Sequence, residues 1–125
     1  MAAKGRSSTS TSCPPKPALG KRPLMTPRQA GELVSVFKVL GNDTRLHLLH
    51  ALARAEEMCV SDLAKVVGMK PQAVSNQLQR LTDRGIVSFR RNGNQIHYRI
   101  EDPCVTSLLD QGWCLTEDSL EGRSG

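Results

Sequence analysis

The side chains with the clearest chemical potential form a polar run between Pro71 and Asp83. This run contains amide, hydroxyl and arginine side chains and has no acidic residue before Asp83. Amide side chains pair with the edge of adenine, arginine pairs with guanine, and serine bonds either a base or a phosphate. The pattern therefore predicts a helix whose polar face lies against DNA. The expected contacts come from Lys70, Gln72, Ser75, Asn76, Gln77, Gln79 and Arg80.

A second basic and amide-rich group surrounds the dipeptide Asn92-Gly93. This dipeptide favours a tight β-turn, because both central positions of a type I′ turn need a positive φ. The segments on either side alternate apolar and polar residues, as strands do. We expect a hairpin beside the polar helix that touches the DNA backbone through Arg90, Arg91, Asn92 and Asn94. The alternative is ordinary solvent-facing charge on an edge hairpin.

The chain contains four cysteines, at positions 13, 59, 104 and 114. No apolar run approaches the roughly 18 residues of a membrane helix, and no signal segment opens the chain. We therefore expect a cytoplasmic protein with no membrane partner, in which thiols stay reduced. Cys59, Cys104 and Cys114 are the candidate metal ligands. An all-sulfur set suits a soft ion such as Hg(II) better than Zn(II), and Cd(II) and As(III) are further candidates.

Two other interpretations of the cysteines stay open. Any one of them can be a small buried hydrophobic residue. Cys104 and Cys114 can also form a reversible disulfide, which would make the protein a redox sensor. Cys13 is expected to be a bystander.

Charge and motif content narrow the class of protein. The formal net charge is +5, from 17 Lys and Arg against 12 Asp and Glu, and the isoelectric point is about 9.3. This balance favours a polyanionic partner such as nucleic acid. The sequence has no triad, paired-carboxylate or phosphate-loop pattern, so we do not expect an enzyme and we expect no organic cofactor. A module of the same fold that binds proteins rather than DNA is the remaining alternative.

The elements that position these residues follow from apolar spacing and capping residues. Thr26-Pro27 predicts a first helix ending at Gly41, with Leu33, Val36, Phe37 and Leu40 on one buried stripe. A second helix is expected from Asn42 or Asp43 to about Ala55, with its apolar side formed by Leu46, Leu49, Leu52 and Ala53. A third, about Ser61–Val67, presents Leu63 with Val66 and Val67. The fourth carries Val74, Leu78 and Leu81.

The hairpin comes next, and Asp102-Pro103 opens a last helix that Gly112 is expected to end. The predicted fold is mainly α with a β-hairpin, in the order αααα-ββ-α, which is a winged helix-turn-helix. Residues 1–25 are expected to be a disordered arm, residues 26–113 the DNA-binding and dimerisation domain, and residues 114–125 a tail. A domain this small gains stability by pairing, so we expect a homodimer.

Three segments resemble motifs of the ArsR/SmtB family of bacterial metalloregulators. Leu40–Leu49 resembles the family's LADPTRLRIL segment, Glu57–Leu63 its ELCVCDL metal box, and Gln72–Leu81 its recognition helix. The resemblance spans about residues 26–113 and is closest to repressors of mercury-resistance operons. It implies a homodimer held by the first and last helices, binding to double-stranded operator DNA, and release by an inducing metal. Ser61 stands where the metal box has its second cysteine, so the other thiolates must come from elsewhere in the protein.

Overall fold

The computed structural model describes the backbone of residues 16–124 and the side chains of residues 16–119. In that range five helices and three strands follow one another. They are α1 (Pro27–Leu40), α2 (Asp43–Ala55), β1 (Met58–Cys59), α3 (Val60–Val67), α4 (Pro71–Asp83), β2 (Val87–Asn92), β3 (Gln95–Ile100) and α5 (Pro103–Ser124). Residues 17–101 form one compact unit, and α5 belongs to a second.

The first two helices begin and end where their capping residues predict. The Thr26 hydroxyl accepts a hydrogen bond from the Gln29 amide at 3.1 Å, and the Gln29 side chain accepts one from the Thr26 amide at 2.9 Å. This reciprocal pair is a capping box, which satisfies two of the free amides at the start of α1. The Asn42 side chain accepts from the Arg45 amide at 3.0 Å and so caps α2. The predicted bounds of both helices are confirmed.

The core lies where α2, α3 and α4 meet the sheet. The predicted stripe of α4 is confirmed, because Val74, Leu78 and Leu81 are each 0% exposed. They pack in a core whose other fully buried side chains are Leu48, Leu49, Leu52, Leu63 and Val87. This layer fixes the side of α4 that faces inward, and therefore the side that faces out.

Two of the predicted apolar stripes were correct at some positions and wrong at others. On α2, Leu46 and Ala53 lie at the surface, and Leu48 and Ala51 are buried beside the correctly predicted Leu49 and Leu52. Leucines at four positions of this helix allow more than one apolar face, and packing against the neighbouring helices selects one. On α3, Leu63 is buried and Val67 is half-buried as expected, but Val66 is 55% exposed and Ala64 is buried instead.

Helix α1 packs only part of its apolar stripe within the protomer. Leu40 is buried, Val36 is half-buried, and Leu33 and Phe37 are exposed. The adjacent Val34 is exposed as well. The stripe is therefore present on the helix, but the protomer covers only its C-terminal end.

The sheet has three strands rather than the two of a simple hairpin. Strands β2 and β3 form the predicted antiparallel pair, and their turn contains Gly93 at φ 67°. The additional strand β1 pairs with the other edge of β3, with Met58 opposite Tyr98 and Cys59 opposite His97. The predicted alternation also fails at Phe89, which is 55% exposed and lies against the Tyr98 ring at a centroid distance of 5.6 Å.

The last helix does not end at Gly112. Asp102 caps it as predicted, because its carboxylate accepts a hydrogen bond from the Cys104 amide at 2.8 Å. The helix then continues through Gly112 to Ser124. Glycine lowers helix propensity by about 1 kcal/mol relative to alanine, which weakens a helix without necessarily ending it. The stretch expected to be a tail is thus helical as far as Ser124.

The described part of the predicted arm contains a short 3-10 turn at Leu19–Lys21. Residues 1–15, including Cys13, lie outside the described residues. None of the described helices is both long enough and apolar enough to cross a membrane.

Candidate nucleic-acid interface and thiol sites

The outer face of α4 is a continuous polar surface. Its buried side is fixed by the apolar stripe, so the remaining positions of the helix face outward. The exposed members of the predicted set are Lys70, Gln72, Asn76, Gln79 and Arg80, and Ser75 and Gln77 are half-buried. Lys70 is the N-cap of the helix, and Pro71 follows at its first position.

Two pairs of exposed side chains on this face bond to each other. The Gln72 amide donates to the Asn76 carbonyl oxygen at 3.1 Å, and the Gln79 amide donates to the Asp83 carboxylate at 2.8 Å. Both pairs are spaced by four residues and open to solvent. A base edge can replace either partner at little cost, since an exposed hydrogen bond competes with water. This surface is suited to reading groups in a DNA groove.

Gln77 has a second role that the sequence did not indicate. Its carbonyl oxygen accepts a hydrogen bond from the Arg45 Nη1 at 2.9 Å. Arg45 also donates through Nε to the Val39 carbonyl at 2.6 Å and through Nη2 to the Lys38 carbonyl at 3.4 Å. One guanidinium on α2 therefore joins the C-terminal end of α1 to the recognition side of α4. Gln77 is thus engaged inside the protomer before any DNA is bound.

The wing, which is the hairpin of β2 and β3, does not expose all its basic residues equally. Arg90 forms a two-point ion pair with Glu57, with Nε–Oε1 at 3.1 Å and Nη2–Oε2 at 2.7 Å. Arg91, Asn92 and Asn94 are exposed around the turn. In the part of the chain whose side chains are described, Arg91 has no ion pair. Of the two arginines of β2, Arg91 is therefore the one directly available to phosphate.

Glu57 lies at the centre of a small charged cluster. Its Oε2 is 3.5 Å from the Nδ1 of His97, in addition to its contacts with Arg90. The hydrogen bond from Arg90 lowers the pKa of the Glu57 carboxyl below its usual range, and the positive charge of Arg90 acts in the same direction. Glu57 is therefore ionised at neutral pH. Ser88, Phe89 and Arg99 complete the lining of a shallow pocket of about 230 Å³ at this cluster.

Cys59 is a buried free thiol at the entrance to α3. It is 5% exposed, and its sulfur lies 3.3 Å from the Ser61 hydroxyl. Ser61 is the residue that replaces the second cysteine of the resembling metal box, so this hydroxyl occupies the place of a thiolate. Across the sheet, Cys59 is paired with His97.

The two cysteines of α5 differ in state and position. Cys104, in the first turn, is disulfide-bonded in this structure. Cys114 is a free, exposed thiol whose sulfur lies 3.8 Å from the Asp118 carboxylate. The Cys104–Cys114 disulfide considered from the sequence is therefore not formed. Because α5 is continuous and rises about 1.5 Å per residue, the two cysteines are roughly 15 Å apart along the helix axis.

This separation limits how α5 can hold a metal ion. Bonds from a metal to sulfur are about 2.3 Å long for zinc, so one ion cannot bind both cysteines of one straight helix. Among residues 16–119, no three His, Cys, Asp or Glu side chains lie close enough together to hold a metal ion. The chemistry of the donor set still fits a soft ion, because the candidate ligands are all sulfur.

Two functional candidates were missed by the sequence analysis. Arg45 and Glu57 both lie in segments that resembled family motifs, but neither was given a role. Their partners are distant in the chain, because Gln77 lies 32 positions after Arg45 and Arg90 lies 33 positions after Glu57. Capping by Asn42 and the run of basic residues on the wing were the only local signals near them.

Comparison with known proteins identifies the region that contains the helix-turn-helix. A sequence model of the arsR family of bacterial regulatory proteins matches residues 42–88. The transcriptional repressor SmtB homolog of Synechocystis sp. is 38% identical over 85 residues, which cover 68% of this chain and 64% of that protein, slightly under two thirds. The cadmium resistance transcriptional regulatory protein CadC of Listeria innocua is 30% identical over 84 residues, covering 67% of this chain and 71% of CadC.

Solved structures agree with the fold. The AntR antimony-specific transcriptional repressor is 61% identical, with a TM-score of 0.74, and the match covers 88% of this chain and 99% of that one. A homodimeric winged helix-turn-helix DNA-binding domain from Mycobacterium bovis is 33% identical, with a TM-score of 0.68, covering 78% of this chain and 93% of that one. The winged helix-turn-helix predicted from the sequence is confirmed.

Proposed function

The chain belongs to the arsR family of bacterial regulatory proteins, and from this premise we propose that it is a dimeric repressor that a soft metal ion releases from operator DNA. Family membership places it among transcriptional regulators rather than enzymes. The observation that carries the proposal is the outer face of α4. The buried apolar stripe fixes the orientation of this helix, so its amide and basic side chains face solvent. Its function on DNA implies a cytoplasmic location.

DNA reading in this proposal divides between α4 and the wing. The outer face of α4 enters the major groove, where Gln72, Asn76, Gln79 and Arg80 meet base edges. Lys70 and Ser75 lie at the margin of that face and suit phosphate contacts. The side-chain oxygen of Gln77 bonds Arg45, so its side-chain NH2 group is the part that can donate to DNA. Arg91, with Asn92 and Asn94, contacts the neighbouring backbone.

A dimer presents two α4 helices to DNA, one for each half of the operator. The exposed apolar residues of α1, Leu33, Val34 and Phe37, are the kind of surface that a second copy covers. We propose that α1 and α5 pair the protomers, as the resemblance implied. The two α4 helices then lie about one DNA turn, roughly 34 Å, apart and fit an inverted repeat. The relative from Mycobacterium bovis is homodimeric, which supports a dimer but does not identify the helices that pair.

The proposed inducer ligands are Cys59, Cys104 and Cys114. Because one ion cannot bind both cysteines of one α5, Cys104 of one protomer acts with Cys114 of the partner subunit. Two helices that pair antiparallel across a twofold axis bring such positions together twice, which gives two equivalent sites per dimer. The proposal concerns the reduced protein, since a thiol reductant must first supply two electrons to the Cys104 disulfide and convert it to two thiolates.

The inducer is a soft ion that accepts three thiolates. The sequence favoured Hg(II), and the named relatives respond to other soft elements, namely cadmium for CadC and antimony for AntR. The high identity with AntR makes Sb(III) the first candidate, because a trivalent ion with a lone pair suits three sulfur ligands on one side. Hg(II) is the second, followed by As(III) and Cd(II). When bound, the ion supplies no chemistry beyond cross-linking the sulfur atoms.

Substitution of single cysteines tests the ligand set. Cys59→Ser, Cys104→Ser and Cys114→Ser should each keep operator binding in reduced buffer and weaken release by the inducing ion, because each removes one sulfur. Cys13→Ser is the control in the same reduced buffer, where no disulfide is present, and should behave there like the parent. Fluorescence anisotropy on an inverted repeat selected in vitro with the protein itself measures both properties. A cysteine whose loss leaves release intact is not a ligand.

A redox-sensing repressor is the second candidate, and the disulfide at Cys104 is the observation that favours it. An oxidant alone would then release operator DNA without metal. Titration of Sb(III) and Hg(II) in reduced buffer, beside titration of an oxidant in metal-free buffer, separates the two mechanisms. An interaction module without DNA affinity would show no salt-dependent binding to any duplex.

A further inference from the structure

The two-point contact between Arg90 and Glu57 resembles the contact that an arginine makes with a phosphate. The Arg90 Nε donates to Oε1 of Glu57 at 3.1 Å, and its Nη2 donates to Oε2 at 2.7 Å. Arginine binds phosphate oxygens with the same paired geometry. A DNA phosphate and the Glu57 carboxylate therefore compete for the same donors.

The sheet holds Glu57 in this position. Glu57 directly precedes β1, which is paired with β3, and β3 is paired with the strand that carries Arg90. His97 of β3 lies opposite both Arg90 and Cys59, and its ring contacts Glu57 at 3.5 Å. The Glu57 side chain is 29% exposed and that of Arg90 is 60% exposed. The pair is thus anchored on the carboxylate side and open to solvent on the arginine side.

We propose that Glu57 restrains DNA binding by holding Arg90 away from the phosphate backbone. Of Arg90 and Arg91, the two arginines of β2, only Arg91 has no ion pair among the described side chains of the free protein. To use Arg90 on DNA, the protein must break its pair with Glu57 and leave that carboxylate near phosphates. The wing therefore binds DNA less tightly than its number of arginines suggests, because Glu57 occupies one of them.

The expected size of the effect follows from the exposure of the pair. Solvent-exposed ion pairs contribute little, equivalent to about a threefold change in an equilibrium constant. A dimer has two wings, so removal of both Glu57 charges should strengthen binding to random duplex DNA by about tenfold at low salt. Each released arginine adds one phosphate contact and steepens the salt dependence by about 0.9 in logarithmic slope.

The inference rests on the proposed function, and the variants are chosen to separate the two. Glu57→Gln removes the charge and keeps the shape of the side chain. Glu56→Gln is the matched control, since it removes the same charge one residue away, where no ion pair with Arg90 exists. Arg90→Ala, alone and with Glu57→Gln, shows whether the effect passes through Arg90. Anisotropy on random and selected duplexes across a salt series gives affinity and slope for each protein.

Glu57→Gln should bind both duplexes more tightly and with a steeper slope, and Glu56→Gln should change each by less than twofold. In the Arg90→Ala background the gain from Glu57→Gln should shrink to less than twofold. An equal gain in both backgrounds would show general charge repulsion and overturn the inference. Unchanged or weaker binding by a folded Glu57→Gln variant would also overturn it.

A measurement on the parent protein covers the case in which Glu57→Gln folds poorly. The Arg90 Nε–H signal in nitrogen-15 NMR reports its hydrogen-bond partner, and addition of random duplex should shift it as the partner changes from carboxylate to phosphate. If the protein binds the duplex but the Arg90 Nε–H signal does not shift, the inference is contradicted and the proposed function is not. A parent protein that binds no duplex contradicts the proposed function instead.

Discussion

The bond between Arg45 and Gln77 predicts a measurable coupling between α2 and the recognition helix. Arg45→Met removes the guanidinium and keeps a long apolar stem. Of the three lost hydrogen bonds, those at 2.6 Å and 3.4 Å lead to carbonyls at the end of α1, and the one at 2.9 Å leads to Gln77. Hydrogen bonds to charged groups contribute about 1.5–3 kcal/mol each. Since Arg45 is half-buried, the substitution should lower the free energy of unfolding by about 2–4 kcal/mol.

A double-mutant cycle isolates the contact with Gln77. Gln77→Ala should cost about 1–2 kcal/mol by itself, and the double variant should cost less than the sum of the single ones by about 1–2 kcal/mol. Urea unfolding at one fixed protomer concentration measures each value, because the stability of a dimer depends on concentration. Gln79→Ala is the matched control on the same helix and should show no coupling with Arg45→Met. A coupling below about 0.3 kcal/mol would refute the reasoning.

The same variants decide what Gln77 contributes to DNA binding. If it only positions α4, Gln77→Ala loses stability and operator affinity together, and Arg45→Met loses both as well. If it also contacts a base, Gln77→Ala loses additional affinity at one position of the operator. Gln77 lies outside the buried stripe of α4, but its bond to Arg45 predicts that its substitution also lowers stability.

Three further predictions follow from exposed positions. Arg80→Ala should lower operator affinity by about 1–3 kcal/mol without changing stability, in anisotropy titrations, and an unchanged affinity would remove it from the reading face. Phe37→Asp should weaken the dimer by tenfold or more in sedimentation equilibrium, because it places a charge on the exposed stripe of α1. A variant as dimeric as the parent would exclude α1 from the interface. Gly112→Ala should raise thermal stability by about 1 kcal/mol, since an added Cβ meets nothing within 4 Å. A lower melting temperature would mean that α5 needs glycine there.

The features that the sequence predicted are those with local causes. Thr26 and Asn42 cap helices through residues three positions away, and Asn92-Gly93 forms a turn that needs no distant partner. The α4 stripe was also predictable, because its apolar residues recur on one helical face with no competing face. The polar surface opposite that stripe, and hence the candidate DNA interface, follows from the same pattern.

The features that the sequence did not predict depend on distant partners. Strand β1 has only two residues, so its pairing partner β3, rather than its own pattern, makes it a strand. The α2 leucines gave no unique face until α3 and α4 were packed against them. The bonds of Arg45 and Glu57 join segments more than 30 residues apart. Gly112 was expected to end the last helix, but the low helix propensity of one glycine does not interrupt a helix that continues on both sides of it.

The central claim, that a soft metal ion controls the hold on DNA, is tested most directly by one linked titration. Metal affinity is measured in reduced buffer by the thiolate absorption band, once with free protein and once with protein saturated by its selected operator. An inducer must bind the free form more tightly, because only a difference in affinity can shift the equilibrium. We expect Sb(III) or Hg(II) to bind about 100-fold more weakly to the operator complex, and operator affinity to fall by the same factor when metal is added. Equal affinities for every ion tested, with operator binding unchanged, would contradict the account.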